Sequence, residues 1–197
     1  MTTRSGEPTD FGSAYRLLSG AVIPRPIAWV ASRTPDGADN LAPFSFANVV
    51  AVDPPTLMIA PVGTGDDRKD TARNVAATAE FVVHVVTEPL AEAMNATSAT
   101  LPAGASEFDH ADVEPVECDA VDVARVAAAP VAFECELSET VEIGGSTVLF
   151  GEVVRAHVDD DLLTDGQFDT TKFHPVGRLA GGWYATTEDR FELERPP

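Results

Sequence analysis

Arg68-Lys69-Asp70-Thr71 sets two cations and a hydroxyl at the start of an apolar-periodic segment, and that combination suits an anion. A helix start is already positive, so basic side chains there are misplaced unless something negative joins them. A phosphate would resolve the conflict. Free backbone N–H groups, the Thr71 hydroxyl and the side chains of Arg68 and Lys69 together form a cradle for it. Local neutralisation by Asp66, Asp67 and Asp70 is the competing explanation, and the residues alone leave both open. The scarcity of lysine, with only Lys69 and Lys172 in the chain, leans toward a ligand.

The second candidate runs from His174 to Tyr184 and holds Arg178, the adjacent Gly181 and Gly182, and the aromatics Trp183 and Tyr184. Glycines permit close backbone approach, and the aromatics can cover a flat ligand or serve as ordinary core residues entering a last strand. Other chemistries are excluded by spacing. Gly63-Thr64-Gly65 precedes Lys69 without the Gly-x4-Gly-Lys-Ser/Thr arrangement, and neither Gly-x-Gly-x-x-Gly nor Gly-x-Ser-x-Gly occurs. His84, His110, His157 and His174 lie far apart with no ligand-spaced Cys/His cluster, so no metal is expected. Cys118 and Cys135 are each flanked by carboxylates, which disfavour a reactive thiolate.

The elements that must position these groups are mostly strands. Pro26 to Ser32 and Asn40 to Ala51 are joined by Arg-Thr-Pro-Asp-Gly-Ala-Asp and predict a hairpin, the second arm alternating Phe44, Phe46, Asn48 and Val50 against smaller neighbours. Asp53-Pro54-Pro55 breaks the chain before a short buried strand over Thr56 to Val62. A helix follows, capped by Asp67 with Asp70 three residues on, its inner face formed by Ala72, Val75, Ala76 and Ala79. Glu80 to Val86 predicts a strand, and Thr87 with Pro89 opens a short helix through Leu90 and Met94. The acidic stretch Ser106 to Asp122 is weakly periodic and predicts a surface excursion, either a lid or a solvated loop. Val131 to Val141 and Thr147 to Val158, turned by Gly144-Gly145, form a long hairpin. Strand-dominated patterning with Gly/Pro-rich turns favours an antiparallel barrel or sandwich.

The chain has 197 residues, 44% of them apolar, and reads as a single domain over 1–197 with its core at about 18–184. Its 13 Lys and Arg face 32 Asp and Glu, giving a net charge of −19. Such a chain is a poor partner for nucleic acid or an anionic membrane, since both demand basic neutralising groups. No apolar leader or membrane-length run is present, so a cytoplasmic location is expected. Acid excess with almost no lysine also suits a halophilic surface, where salt screens self-repulsion. Against this background Ile23 to Asn74 is nearly balanced, with five basic and six acidic residues.

The ordered set Arg25-Pro-Ile-Ala-Trp-Val-Ala-Ser32, Asn40-Leu-Ala-Pro-Phe-Ser45 with Asn48, Asp53-Pro-Pro55, Lys69-Asp-Thr71 with Asn74, Glu92-Ala-Met-Asn95, and Arg178-Leu with Gly181 and Tyr184 resembles the flavin reductase-like, flavoredoxin-type family. That resemblance implies a mainly β, FMN-binding split β-barrel of Greek-key type with a few peripheral helices, usually a homodimer. It implies bound FMN, NADH or NADPH as electron donor, and a monooxygenase or other acceptor as partner. An FMN-binding electron carrier without nicotinamide access and a flavin-free acidic module are the alternatives. Carried onto this sequence, Ala31, Ser32, Asn40, Leu41, Ala42, Pro43 and Ser45 would meet the flavin ring, and Arg68, Lys69 and Thr71 its phosphate. Arg178 and Tyr184 would close the site. Trp29 and Asn48 are read as structural, and His84 is a candidate for the nicotinamide. Relatives often carry Trp-Val-Ser-Thr where this chain has Trp-Val-Ala-Ser, which removes one hydroxyl. Hydride transfer between nicotinamide and flavin needs no protein acid or base, so no catalytic side chain is assigned.

Overall fold

The computed structural model describes residues 2–102 and 105–196. Seven strands form one antiparallel sheet: β1 (Ala28–Arg33), β2 (Asp39–Phe44), β3 (Ala47–Val52), β4 (Pro55–Ile59), β5 (Glu80–Val85), β8 (Val131–Ile143) and β9 (Ser146–Val158), in the order β2-β1-β5-β8-β9-β4-β3. Strands β6 (Pro115–Val116) with β7 (Arg125–Val126), β10 (Leu163–Thr164) with β11 (Gln167–Phe168), and β12 (Gly177–Arg178) with β13 (Tyr184–Ala185) pair separately. The two edge strands β2 and β3 are consecutive and separated only by Ser45 and Phe46. Edges that close in the chain must be close in space, so the sheet curls on itself. The result is a split β-barrel.

The Pro-Asp-Gly turn joins β1 to β2 in the expected hairpin, with Val30 opposite Ala42 and Ser32 opposite Asn40. Its second arm is a correction. It does not run unbroken to Ala51 but bends at Ser45-Phe46, so Phe46 falls in the bend while Asn48 and Val50 belong to an exposed strand on the far edge. The long Gly-Gly hairpin forms as predicted, with β8 and β9 paired from Val131↔Val158 to Ile143↔Ser146.

β1 is buried on both faces, which its continuous apolar run requires. Ala28 and Val30 face one core cluster with Val75, Phe81 and Leu149, while Trp29 and Ala31 face another with Leu41, Met94, Phe108 and Val126. Helix α1 (Ala14–Ala21) is capped by Ser13. α2 (Asp70–Thr78) packs on β1, and α3 (Ala91–Ala96) and α4 (Glu107–His110) cover β2.

Two further expectations need correction. Asp67 does not cap α2; Gly65–Asp67 is a separate 3-10 turn and Lys69 holds the cap position, with no side-chain cap bond. The buried face of α2 is Thr71, Ala72, Asn74 and Val75, whereas Ala76 and Ala79 are exposed. The 106–122 excursion is also more than a surface loop, because it inserts Phe108 and Val121 into the core. Among the described residues no helix is long and apolar enough to cross a membrane.

Candidate functional site

Two cavities flank the end of β2, and both are lined by Pro43, Phe44 and Ser98. The larger, about 620 Å³, lies between β2, the start of α2 and residues 97–102 and 105–107. The smaller, about 300 Å³, lies between α1, the end of β2, α3 and the β12–β13 hairpin.

Asn40, Ala42, Pro43, Lys69 and Thr71 line the larger cavity. α2 begins there without a side-chain cap, so first-turn N–H groups that every helix leaves unmade remain available. Thr71 is 1% exposed, and its hydroxyl accepts a bond from the Asn40 amide at 3.1 Å. A hydroxyl that accepts keeps its own proton to donate. Ser32 lies beneath, fully buried, receiving Asn74 at 3.2 Å and Asn40 at 3.4 Å, so a four-residue polar network fixes the Thr71 side chain. Lys69 is exposed and has no ion-pair partner among the described residues.

Acids border this cavity too. Asp39 is bound to Arg33 at 2.8 Å, Asp70 to Arg73, and the Glu107 carboxylate accepts the Leu41 N–H at 3.4 Å. Arg68 turns toward the β8–β9 hairpin, where it meets Glu142 at 2.7 Å, and its Nε is buried without a partner. Arg68 therefore does not line the cavity that Lys69 and Thr71 share. Ala31 and Leu41 are wholly buried in the core and contribute no side-chain surface to either cavity.

Ser45, Arg178 and Tyr184 line the smaller cavity instead. Arg178 donates to the Tyr184 hydroxyl and the Gly181 carbonyl, and its guanidinium lies 4.6 Å from the Tyr184 ring centroid. Arg25, which sequence reasoning placed only within a motif, reaches the same space. It is 8% exposed and donates to the carbonyls of Ser19, Val22 and Leu179 and to the Ser45 hydroxyl. Its partners come from three separate segments, the end of α1 with its exit, Ser45 and Leu179, so no local pattern announces it.

Behind the cavities Trp29 shares a core cluster with Met94, which lines the smaller one, and bonds to Thr97, which lines the larger. Trp29 is fully buried and donates its indole N–H to Thr97 at 2.9 Å. His84 is equally buried, with Nδ1 2.7 Å from the Trp29 carbonyl and Nε2 accepting the Val126 N–H at 2.9 Å. One neutral tautomer satisfies both bonds, and burial lowers the His84 pKa to about 4. Sealed this way, His84 cannot touch a nicotinamide, which corrects that expectation. Asn48 is exposed, and among the described residues its side chain accepts the Val49 N–H.

Cys118, Glu134 and His157 converge elsewhere, on the outer part of the sheet. The fully buried Glu134 carboxylate already accepts N–H groups from Asp119, Ala120 and Val121 and contacts His157 Nε2 at 2.5 Å. Its lone pairs are thus engaged in tying the 118–122 segment to β8 and in meeting His157. Burial first, then the Glu134 charge, pushes both the Cys118 and Cys135 thiols up to about 12. Neither is a nucleophile near neutral pH.

Comparison with known proteins agrees with this architecture. The model of the "Flavin reductase like domain" family matches residues 19–177. An uncharacterized protein of Halalkalibacterium halodurans is 44% identical over 190 residues, covering 92% of this chain and 90% of its own. The crystal structure of nitrilotriacetate monooxygenase component B from Bacillus cereus superposes with a TM-score of 0.92 at 36% identity, covering 98% of this chain and 100% of that one. Pseudomonas fluorescens 2-nitrobenzoate 2-nitroreductase gives a TM-score of 0.85 at 33% identity, covering 93% and 90%. With the matched segment running from within α1 to the first residue of β12 and containing every residue that lines the larger cavity, the chain belongs to the flavin reductase-like family.

Proposed function

We propose that the protein binds FMN across β2 and acts as an NAD(P)H-dependent flavin oxidoreductase that passes electrons to an acceptor or a partner monooxygenase. The observation that carries this reading is the uncapped start of α2, where the unpaired Lys69 and the proton-bearing Thr71 hydroxyl face one cavity. That donor set suits a phosphate monoester. FMN, when bound, supplies a two-electron acceptor for the hydride of NADH or NADPH.

The chain's own groups then bind and orient. Asn40 holds the Thr71 hydroxyl, Ser32 accepts from Asn40, and Asn74 holds Ser32 in turn. Ala42 and Pro43 form the strand edge against which a flat ring can lie, while Ser45, Arg178 and Tyr184 bound the far side. Arg68 acts at one remove, by fixing the turn before α2 to Glu142. The likeness to a monooxygenase component at 36% identity supports delivery to an oxygenase.

The test is FMN titration of the purified protein, with and without Lys69→Ala and Thr71→Ala. Losing one charged and one neutral donor should weaken FMN on the order of thirtyfold to a hundredfold, about 2–3 kcal/mol. Unchanged affinity would sink the phosphate assignment. Bleaching of bound flavin by dithionite but by neither NADH nor NADPH would make the protein an electron carrier.

A homodimer accompanies this reading. β3 exposes Val49, Val50 and Val52, and α1 with its exit exposes Tyr15, Leu18, Val22 and Ile23, more apolar surface than a monomer comfortably leaves wet. Sedimentation equilibrium giving only the monomer mass would refute it. The acidic surface further suits a salt-rich interior, and full stability in dilute buffer would count against that.

A further inference from the structure

The smaller cavity has a charge pattern that the flavin reading leaves unexplained. Two of the chain's 13 basic residues line it, yet none of its lining residues is among the 32 acids. Arg25 is held by three carbonyls and a hydroxyl, Arg178 by a hydroxyl and a carbonyl. Neither has a carboxylate partner among the described residues. Such dipoles fix the orientation of a guanidinium but leave its full charge uncompensated, and for the buried Arg25 a desolvated charge without a counter-ion is costly, while Arg178 is half-buried. Both groups also retain unused N–H donors.

The walls between the two cations are Tyr15, Phe44, Met94 and Tyr184. A volume of about 300 Å³ fits one ring with a charged substituent and is too small for a dinucleotide, since small-molecule sites span roughly 300–1,000 Å³. We propose that this cavity binds a small planar organic anion, a one-ring carboxylate, whose charged end is received by Arg25 and Arg178. Because Pro43, Phe44 and Ser98 border both cavities, the anion lies against the proposed flavin space as the substrate class admitted beside it. The substrate role rests on the flavin reading; the binding itself does not.

Isothermal titration of the purified full chain with benzoate, benzamide and inorganic phosphate tests the proposal. Benzoate should bind saturably, and uncharged benzamide on the order of tenfold more weakly. Arg178→Gln should weaken benzoate by a similar factor without affecting benzamide, and Arg178→Lys should restore part of the loss. The comparison of benzoate with benzamide needs no variant, so it survives any folding defect in Arg178→Gln. Equal affinities, or no saturable benzoate binding, would overturn the proposal. So would phosphate binding more tightly than benzoate in competition with it, which would make this a phosphate site. Uptake of FMN by the same sample separates the two readings. Benzoate binding without FMN uptake removes the proposed function alone, and FMN uptake without benzoate binding removes this inference alone.

Discussion

The cavity at the start of α2 carries Asp39, Asp70 and Glu107 beside Lys69, whereas the cavity under the β12–β13 hairpin carries Arg25 and Arg178 and no acid. By lining residues alone the first looks hostile to phosphate and the second inviting. Hydrogen bonding reverses part of that impression. Asp39 and Asp70 are spent on Arg33 and Arg73, so Lys69 and the bare helix start are what the first cavity has left to offer. Arg25, by contrast, is pinned by backbone carbonyls before any ligand arrives. One cavity offers an exposed lysine with no ion-pair partner among the described residues; the other presents a preset pair. Preset groups lose little freedom on binding and discriminate more sharply.

The largest way to break this contrast is through Gly63. Its φ is 110°, and a Cβ there would lie 2.1 Å from the Asp67 carbonyl oxygen, which is backbone and cannot step aside. The residue is further held by Gly145 and Thr147 at the β8–β9 turn. Gly63→Ala should therefore cost about 3–4 kcal/mol, from strain and overpacking together. Urea unfolding measures the cost. Since the Gly63–Asp67 turn delivers α2 to its cavity, FMN affinity should fall while benzoate affinity persists in whatever fraction is folded. Parallel losses would show that the cavities are not independent.

His84 sharpens the comparison from the other side, because it holds Trp29, which bonds to Thr97 of the larger cavity and packs with Met94 of the smaller. Burial lowers its pKa to about 4, outweighing the Trp29 carbonyl that favours the charged form. Protonation would set a new N–H against the Val126 N–H. The unfolded chain gains this proton near pH 6.5 and the folded chain only near pH 4, so the stability contributed is complete above about 6.5 and is lost as pH falls toward 4. About 2 kcal/mol should be gone at pH 5. Urea midpoints at pH 7 and pH 5 should show this, and His84→Gln, less stable at pH 7, should lose much less between them. An equal loss in the variant would remove His84 as the cause. Both ligands should weaken together on acidification, unlike the selective effect of Gly63→Ala.

Much of the fold was legible because its signals are local. The period-two runs and the Pro-Asp-Gly and Gly-Gly turns mark two hairpins, and both form. Non-local facts were not legible. The start of α2 was displaced because Gly63 and Gly65, both at positive φ, divert Asp66 and Asp67 into a separate turn, so their capping chemistry goes unused. Phe108 and Val121 enter the core from a segment whose periodicity is too weak to reveal it. Lys69 and Thr71 could be singled out from helix electrostatics alone. Arg25 could not, because its partners lie in α1, in Ser45 and in Leu179, and only the folded chain assembles them.

The smallest effect is expected at Gly181, the counterpart of Gly63 beside the arginine cavity. Its φ of 59° is also left-handed, but a Cβ there would meet nothing within 4 Å. Only the conformational penalty applies, about 1 kcal/mol for Gly181→Ala. Yet the Gly181 carbonyl is one of the two acceptors that hold the Arg178 guanidinium. If that cavity owes its selectivity to preset cations, this small loss of stability should be accompanied by a larger fractional loss of benzoate over benzamide preference. Calorimetry on Gly181→Ala compares the two directly. A preference unchanged while stability drops would mean that Arg178 finds the carboxylate without being held, and the distinction between an unheld and a preset charge would fall.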